Sequence, residues 1–202
     1  MPLATAWLRA ACAAAALALA APEQALACTL STASTSLGSH SSYDVATNVL
    51  QSSGSAGLQC DILLAALTTH YVGLRVDAST FTMTGPGGSQ LAYVASLTPN
   101  GTPLSVGNFQ NLSSLSLVSL FSGTGGNIPI YIRTSPTSGL RAGTYNGHLD
   151  LRWYYSVCSL GAVLCLSYSS SPGFVRPVPI ITPLDWGTGT AVRVNVELVV
   201  EN

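Results

Sequence analysis

Cysteine and histidine are the residue types here most able to do covalent, metal or acid–base chemistry, and their spacing favours cross-linking over catalysis. Cys12 lies in an apolar amino-terminal run, which leaves Cys28, Cys60, Cys158 and Cys165. Four cysteines allow three connectivities. Pairing Cys28 with Cys60 and Cys158 with Cys165 joins neighbouring elements. The first bond closes a loop of about 33 residues, worth roughly 3–4 kcal/mol of chain entropy. No C-x-x-C pair occurs, and His40, His70 and His148 do not cluster with the cysteines, so the pattern does not suit zinc.

The remaining polar residues form no recognisable reaction centre. The chain lacks a G-x-S-x-G elbow, an H-E-x-x-H pair, a phosphate-cradling G-x-x-x-x-G-K-[ST] loop and a dinucleotide fingerprint. Asp44, Asp61, Asp77, Asp150 and Asp185 show no paired-carboxylate spacing. His148 falls on the polar side of an alternating segment, where a solvated residue is expected rather than a catalytic base. Asn100-Gly101-Thr102 and Asn111-Leu112-Ser113 match the glycosylation sequon, as chance allows in a chain rich in Asn, Ser and Thr. The expectation is a non-enzymatic protein without a cofactor.

The elements that hold these residues are strands. Gly143 to Trp153 alternates, with Tyr145, Leu149, Leu151 and Trp153 apolar and Asn146, His148, Asp150 and Arg152 polar. Val192 to Val200 alternates as well, with Val192, Val194, Val196, Leu198 and Val200 on one face. Period-two alternation marks a strand with one buried and one wet face. Further strands are expected at Thr29–Gly38, Leu58–Leu64, Tyr71–Asp77, Gln90–Leu97, Leu115–Phe121 and Ile128–Arg133. Turns are expected at 52–57, 85–88, 99–101, 123–126 and 135–139, and loops at 100–116 and 167–190. Residues 65–70 and 112–117 fit neither period clearly. Short strands with regular turn signals argue for a β-sandwich or barrel.

Residues 1–27 read as a signal peptide. Arg9 supplies the positive charge, Ala10 to Ala21 the apolar core, and Ala25-Leu26-Ala27 the small-x-small cleavage site before Cys28. The apolar run is shorter than the roughly 20 residues that a membrane span needs. A lipoprotein reading competes because a cysteine follows the site, but Ala25 stands where a large aliphatic residue is expected. The mature chain, 28–202, is then one exported domain. An even cysteine count agrees with an oxidising compartment. Charged residues make up 7% of the sequence, lysine is absent and the formal net charge is −1, so no basic patch points to nucleic acid or an anionic membrane. A surface so poor in charge suits a chain held in an assembly or against a surface.

Two apolar stretches stand out, Ile62 to Leu67 and Val157 to Leu166. The second is a cysteine-bounded loop filled with Leu160, Ala162, Val163 and Leu164, with Tyr154 and Tyr155 at its base. It either folds back to cap the core or forms an exposed tip that adheres to a partner. Leu63, Leu64 and Leu67 are the matching candidates in the first stretch.

Cys28-Thr29-Leu30, Leu58-Gln59-Cys60 and above all Leu140-Arg141-Ala142-Gly143-Thr144-Tyr145 resemble the spore coat protein U domain, found in subunits of archaic chaperone–usher pili. The resemblance implies an immunoglobulin-like sandwich of pilin or adhesin type. Ordinary pilins of this kind lack a final strand and receive one from the next subunit, a form of β-augmentation. Here nothing precedes Cys28 after the expected cleavage, and the 192–200 strand is available to fill the groove from its own chain. Leu151-Arg152-Trp153 followed by Cys158 and Cys165 is similar to the amino-terminal domain of two-domain tip adhesins. The second domain would begin where this sequence stops. The resemblance implies a periplasmic chaperone, an outer-membrane usher and other pilus subunits as partners, with export to the cell surface or a pilus. The expected function is a non-enzymatic, tip-adhesin-like subunit. The alternative is a polymerising coat or matrix protein, and the two differ in whether strand 192–200 pairs within its own chain or between chains.

Overall fold

The computed structural model describes residues 28–60, 71–112, 127–157, 167–168, 174–175 and 185–202. These residues are almost entirely β. The strands are β1 (Cys28–Leu30), β2 (Ala33–Ser41), β3 (Gln51–Cys60), β4 (Tyr71–Ala78), β5 (Thr82–Thr84), β6 (Gln90–Ser96), β7 (Phe109–Asn111), β8 (Asn127–Thr134), β9 (Gly143–Val157), β10 (Ser167–Tyr168), β11 (Phe174–Val175) and β12 (Asp185–Glu201). One short helix, α1 (Ser42–Thr47), follows β2.

Ten of the strands form one curled sheet, ordered β1-β3-β8-β6-β5-β9-β12-β2, with β4 pairing to β9 and β7 to β4. The half containing β3, β8 and β6 faces the half containing β4, β9, β12 and β2, and alternate side chains of both fill the space between. Leu58, Ile128, Ile130 and Ile132 meet Leu74, Leu149, Leu151, Trp153, Val194 and Leu198, all inaccessible to solvent. Burying a side chain of this size contributes about 1.5–3 kcal/mol. The Trp153 indole also needs a hydrogen-bond acceptor inside the core, and its Nε1 donates to the Ala56 carbonyl at 3.0 Å.

The Cys28–Cys60 bond is present and joins directly opposed residues of β1 and β3. The expected single strand 29–38 is instead two. The chain breaks at Ser31 and Thr32, where it crosses between the halves: β1 pairs with β3, whereas β2 pairs with β12. The crossing is fastened by Ser31 N–H donating to the Gly57 carbonyl at 2.9 Å.

The small residues 52–57, expected as a turn, lie inside β3. They are small because β2 comes close. A side chain at Gly54 would collide with the Thr35 hydroxyl, and one at Gly57 would meet the Ser31 carbonyl and Val192. Further differences are helix α1, the short strand β5, the short strand β7 within the expected loop 100–116, and the start of β12 at Asp185 instead of Val192. Helix α1 begins at Ser41, whose hydroxyl accepts from the Asp44 N–H at 3.1 Å and donates to the Asp44 carboxylate at 2.8 Å. The β10–β11 hairpin also falls within the expected loop 167–190. The expected strand 115–121 lies outside the described residues, as do the ambiguous segment 65–70 and most of 112–117.

The 140–145 motif has a specific physical role. The Tyr145 ring is fully buried, and its hydroxyl reaches back four residues, accepting from Arg141 N–H at 3.0 Å and donating to Arg141 C=O at 2.9 Å. This arrangement is a tyrosine corner, which pins the entry to a sandwich strand. Gly143, at φ 137°, packs on Pro86, and Gly85 lies flat against the Tyr145 ring, where a methyl group would collide. The 85–88 turn and the start of β9 are thus fitted to each other.

Candidate functional site

Strand β12 occupies the centre of its half of the sandwich. It pairs antiparallel with β9 from Asp185↔Val157 to Val200↔Gly143, and parallel with β2 from Val194↔Ala33 to Glu201↔Ser41. Both edges of its 194–201 portion are therefore paired within the chain. Its inward row of Val192, Val194, Val196, Leu198 and Val200 is at most 8% exposed. The groove that a missing strand would leave is filled in cis.

The candidate adhesive residues fall in two segments of the sequence. Leu160, Ala162, Val163, Leu164, Leu63, Leu64 and Leu67 lie outside the described residues, as do Cys158, Cys165 and His70. The strand ends that lead into these segments are described, and they converge. Tyr71, where β4 begins, is opposite Ser156, and Val157, where β9 ends, is opposite Asp185. In the facing half, Cys60 ends β3 beside Cys28, and Gln59 is opposite Asn127. The bond from Trp153 to Ala56 aligns the two halves, so the ends of β3 and β9 share one pole.

A second feature lies on the outer face of the same sheet. Arg75 of β4 and Arg152 of β9 are directly opposed, a like-charge pairing that would be unfavourable alone. Asp77 resolves it by accepting from Arg75 Nε at 2.9 Å on one oxygen and from Arg152 Nε on the other. Arg152 Nη1 also donates to the Gly189 carbonyl at 2.8 Å, at the β12 bulge. One step along, Arg193 grips Asp150 through Nε at 2.7 Å and Nη2 at 3.0 Å. That bidentate contact is the main cause that holds the Asp150 carboxyl below the usual carboxylate range. His148, on the same strand, is exposed as its polar-face position predicts.

Asp77, Asp150, Arg152 and Arg193 border an open cleft of about 770 Å³. Ser31, Thr32, Thr190, Ala191 and Val192 line it with them. It forms where β2 begins only at Ala33, leaving β12 before Val194 uncovered on that side. Sequence reasoning placed Arg152, Asp150 and Arg193 on wet strand faces. It could not align the three strands, because lateral register between β4, β9 and β12 is not written in any one of them.

The family model described as Spore Coat Protein U domain matches residues 14–151. The chain belongs to the spore coat protein U domain family. No curated protein sequence matches it significantly. Among solved structures, this spore coat protein U domain is similar to a chain of the CsuC–CsuE chaperone–tip adhesion subunit pre-assembly complex, from archaic chaperone–usher Csu pili of Acinetobacter baumannii. Identity is 29% over 87% of this chain, with a TM-score of 0.65. The matched region spans 60% of that chain's length. A weaker likeness is to the CooA pilin subunit of enterotoxigenic Escherichia coli, 12% identical with a TM-score of 0.45, over 87% of this chain and 99% of that one. The domain is fimbrial-subunit-like, and β12 lies beyond the residues that the family model matches.

Proposed function

We propose that this domain is the adhesive, tip-type subunit of an archaic chaperone–usher pilus. The observation that carries the proposal is the cis pairing of β12 with both β9 and β2. A subunit whose groove is already filled does not need a strand from a neighbour, which suits the end of a fibre better than its shaft. The similarity to a chain of the CsuC–CsuE complex supports the same reading, with a periplasmic chaperone, an usher and other pilus subunits as partners. Residues 1–27 direct export, and residues 28–202 form the mature domain at the cell surface.

Adhesion is non-enzymatic and uses apolar side chains at the pole where β9 ends. Leu160, Ala162, Val163 and Leu164, in a loop closed by a Cys158–Cys165 bond, act with Leu63, Leu64 and Leu67. Such a tip gains about 25 cal/mol per Å² of apolar area buried, whatever the chemistry of the apolar surface.

The test is adsorption of the purified exported chain to octyl-coated and to hydroxyl-coated surfaces, alongside its mass in solution. The expected result is a monomer that adsorbs to the octyl surface and loses that adsorption on Leu160→Ser with Leu164→Ser. A polymer in which β12 is exchanged between copies would favour the coat or matrix reading instead. A folded double variant that adsorbs like the parent would remove the loop from the mechanism.

A further inference from the structure

The cleft on the outer face of β4, β9 and β12 concentrates charge in a chain that has very little. Of the seven basic and eight acidic residues in the whole sequence, Arg152, Arg193, Asp77 and Asp150 line the cleft, and Arg75 pairs with Asp77 beside it. Ion pairing alone does not use up their hydrogen-bonding capacity. Among the described residues, Arg152 and Arg193 are each held through Nε. Of their remaining groups, Arg152 uses Nη1, on Gly189, and Arg193 uses Nη2, on Asp150. The carboxylates fix the guanidinium planes and leave one Nη donor group on each for a ligand. One such donor from each guanidinium matches the two oxygens of a carboxylate.

The carboxylates narrow the choice of ligand. Three arginines and two aspartates leave one net positive charge, which favours a monoanion over a multiply charged phosphate. Asp77 and Asp150 retain acceptor capacity that an anion cannot satisfy, because each oxygen has two lone pairs and needs a donor. Ser31, Thr32 and Thr190 add hydroxyls that donate or accept, beside the apolar Ala191 and Val192. A ligand that offers one carboxylate, several hydroxyl donors and a C–H face fits all of these groups. We propose that this cleft binds an acidic saccharide, its carboxylate held by the guanidinium groups of Arg152 and Arg193 and its ring hydroxyls by Asp77, Asp150 and the hydroxyls of Ser31, Thr32 and Thr190. None of these residues belongs to the 158–165 segment, so the proposal does not depend on the adhesive role proposed for it.

The probe is tetragalacturonate, compared with its methyl ester, titrated calorimetrically into the full exported chain at low salt. The ester keeps the ring and hydroxyls but removes the charge. Binding of the acid is expected to exceed that of the ester at least about tenfold, since charge-assisted hydrogen bonds are lost. Arg152→Gln with Arg193→Gln should weaken the acid form by a similar factor, whereas Arg133→Gln, paired with Asn100 on the other half, should not. Near-ultraviolet circular dichroism confirms that each variant is folded, and the acid–ester comparison needs no variant. Absence of binding by the acid, equal binding of acid and ester, or unchanged affinity in a folded double variant would each overturn the proposal. Complete displacement by equimolar inorganic sulfate would also overturn it, by showing an anion site that ignores the sugar.

Discussion

Deleting residues 185–202 should unfold the domain, and a synthetic peptide of the same sequence should restore it. The magnitude follows from the inward row of β12. Val192, Val194, Val196, Leu198 and Val200 are at most 8% exposed. At about 1.5–3 kcal/mol each, their burial contributes roughly 8–15 kcal/mol. That is comparable to the whole stability of a typical domain, about 5–15 kcal/mol. Removal also strips β9 and β2 of their shared partner and opens the core over Leu149, Leu151 and Trp153. The assay is urea unfolding of the truncated chain with the Cys28–Cys60 bond intact, followed by peptide titration. The expected outcome is no cooperative transition without peptide and recovery of one at saturation. A scrambled peptide keeps composition but breaks the alternation, and should fail. A truncated chain that unfolds cooperatively at the parent's midpoint would refute the reasoning, because the inward row would then carry none of the stability assigned to it.

Three further outcomes test local features. Tyr145→Phe keeps the ring on Gly85 but removes both hydrogen bonds to Arg141; a loss of about 1–3 kcal/mol is expected by urea denaturation, and no loss would deny the corner a stabilising role. Among the described residues Thr35 Oγ1 is buried without a hydrogen-bond partner, so Thr35→Val should raise stability by about 1 kcal/mol, read as a higher urea midpoint at constant slope. Arg193→Gln removes the contact that lowers the Asp150 carboxyl. A lowered folded-state value stabilises above the unfolded value of about 3.9, and that contribution is lost as pH falls through the folded value. The stability difference between parent and Arg193→Gln should therefore close below about pH 3.9, and shrink in high salt at neutral pH because the pair is exposed. A difference that stays constant down to pH 2 would place the effect elsewhere.

Alternation made the two longest strands legible, because each presents one face to the core and one to water. The inward residues Tyr145, Leu149, Leu151 and Trp153, and the valine row of β12, are the buried ones. Where two chain segments approach closely, alternation gave way to size. Residues 52–57 read as a turn because Ser and Gly are common in turns, yet here they make room for Thr35 and Val192. The sheet switch at Ser31–Thr32 was hidden for a related reason: its partner, Gly57, is remote in sequence. Helix α1 carried a readable signal, a serine three residues before an aspartate, but it spans only Ser42–Thr47 and has a single buried residue, Val45. Among candidate binding residues, Leu63, Leu64, Leu67, Leu160, Ala162, Val163 and Leu164 stand out by composition alone and lie outside the described residues. The charged cleft was not, since it exists only once register sets Arg75 beside Arg152 and Arg193 beside Asp150.

That register links the completion of the fold to the surface it presents. Strand β12 has two working faces: Val192 and Val194 enter the core, while Arg193 between them closes on Asp150. Its bulge at Gly189 supplies the carbonyl that anchors Arg152, and Thr190 and Ala191 border the cleft. A strand contributed by another subunit could restore the apolar row with any alternating sequence, because valine, leucine and isoleucine bury similar area. It would not restore the cleft unless it also carried an arginine opposite Asp150 and a bulge whose carbonyl reaches Arg152. The core thus asks little of the strand's sequence, and the outer face asks much. Supplying the strand from the same chain makes the second requirement as heritable as the first, so a groove filled in cis serves the stability of the domain and the constancy of its outer face together.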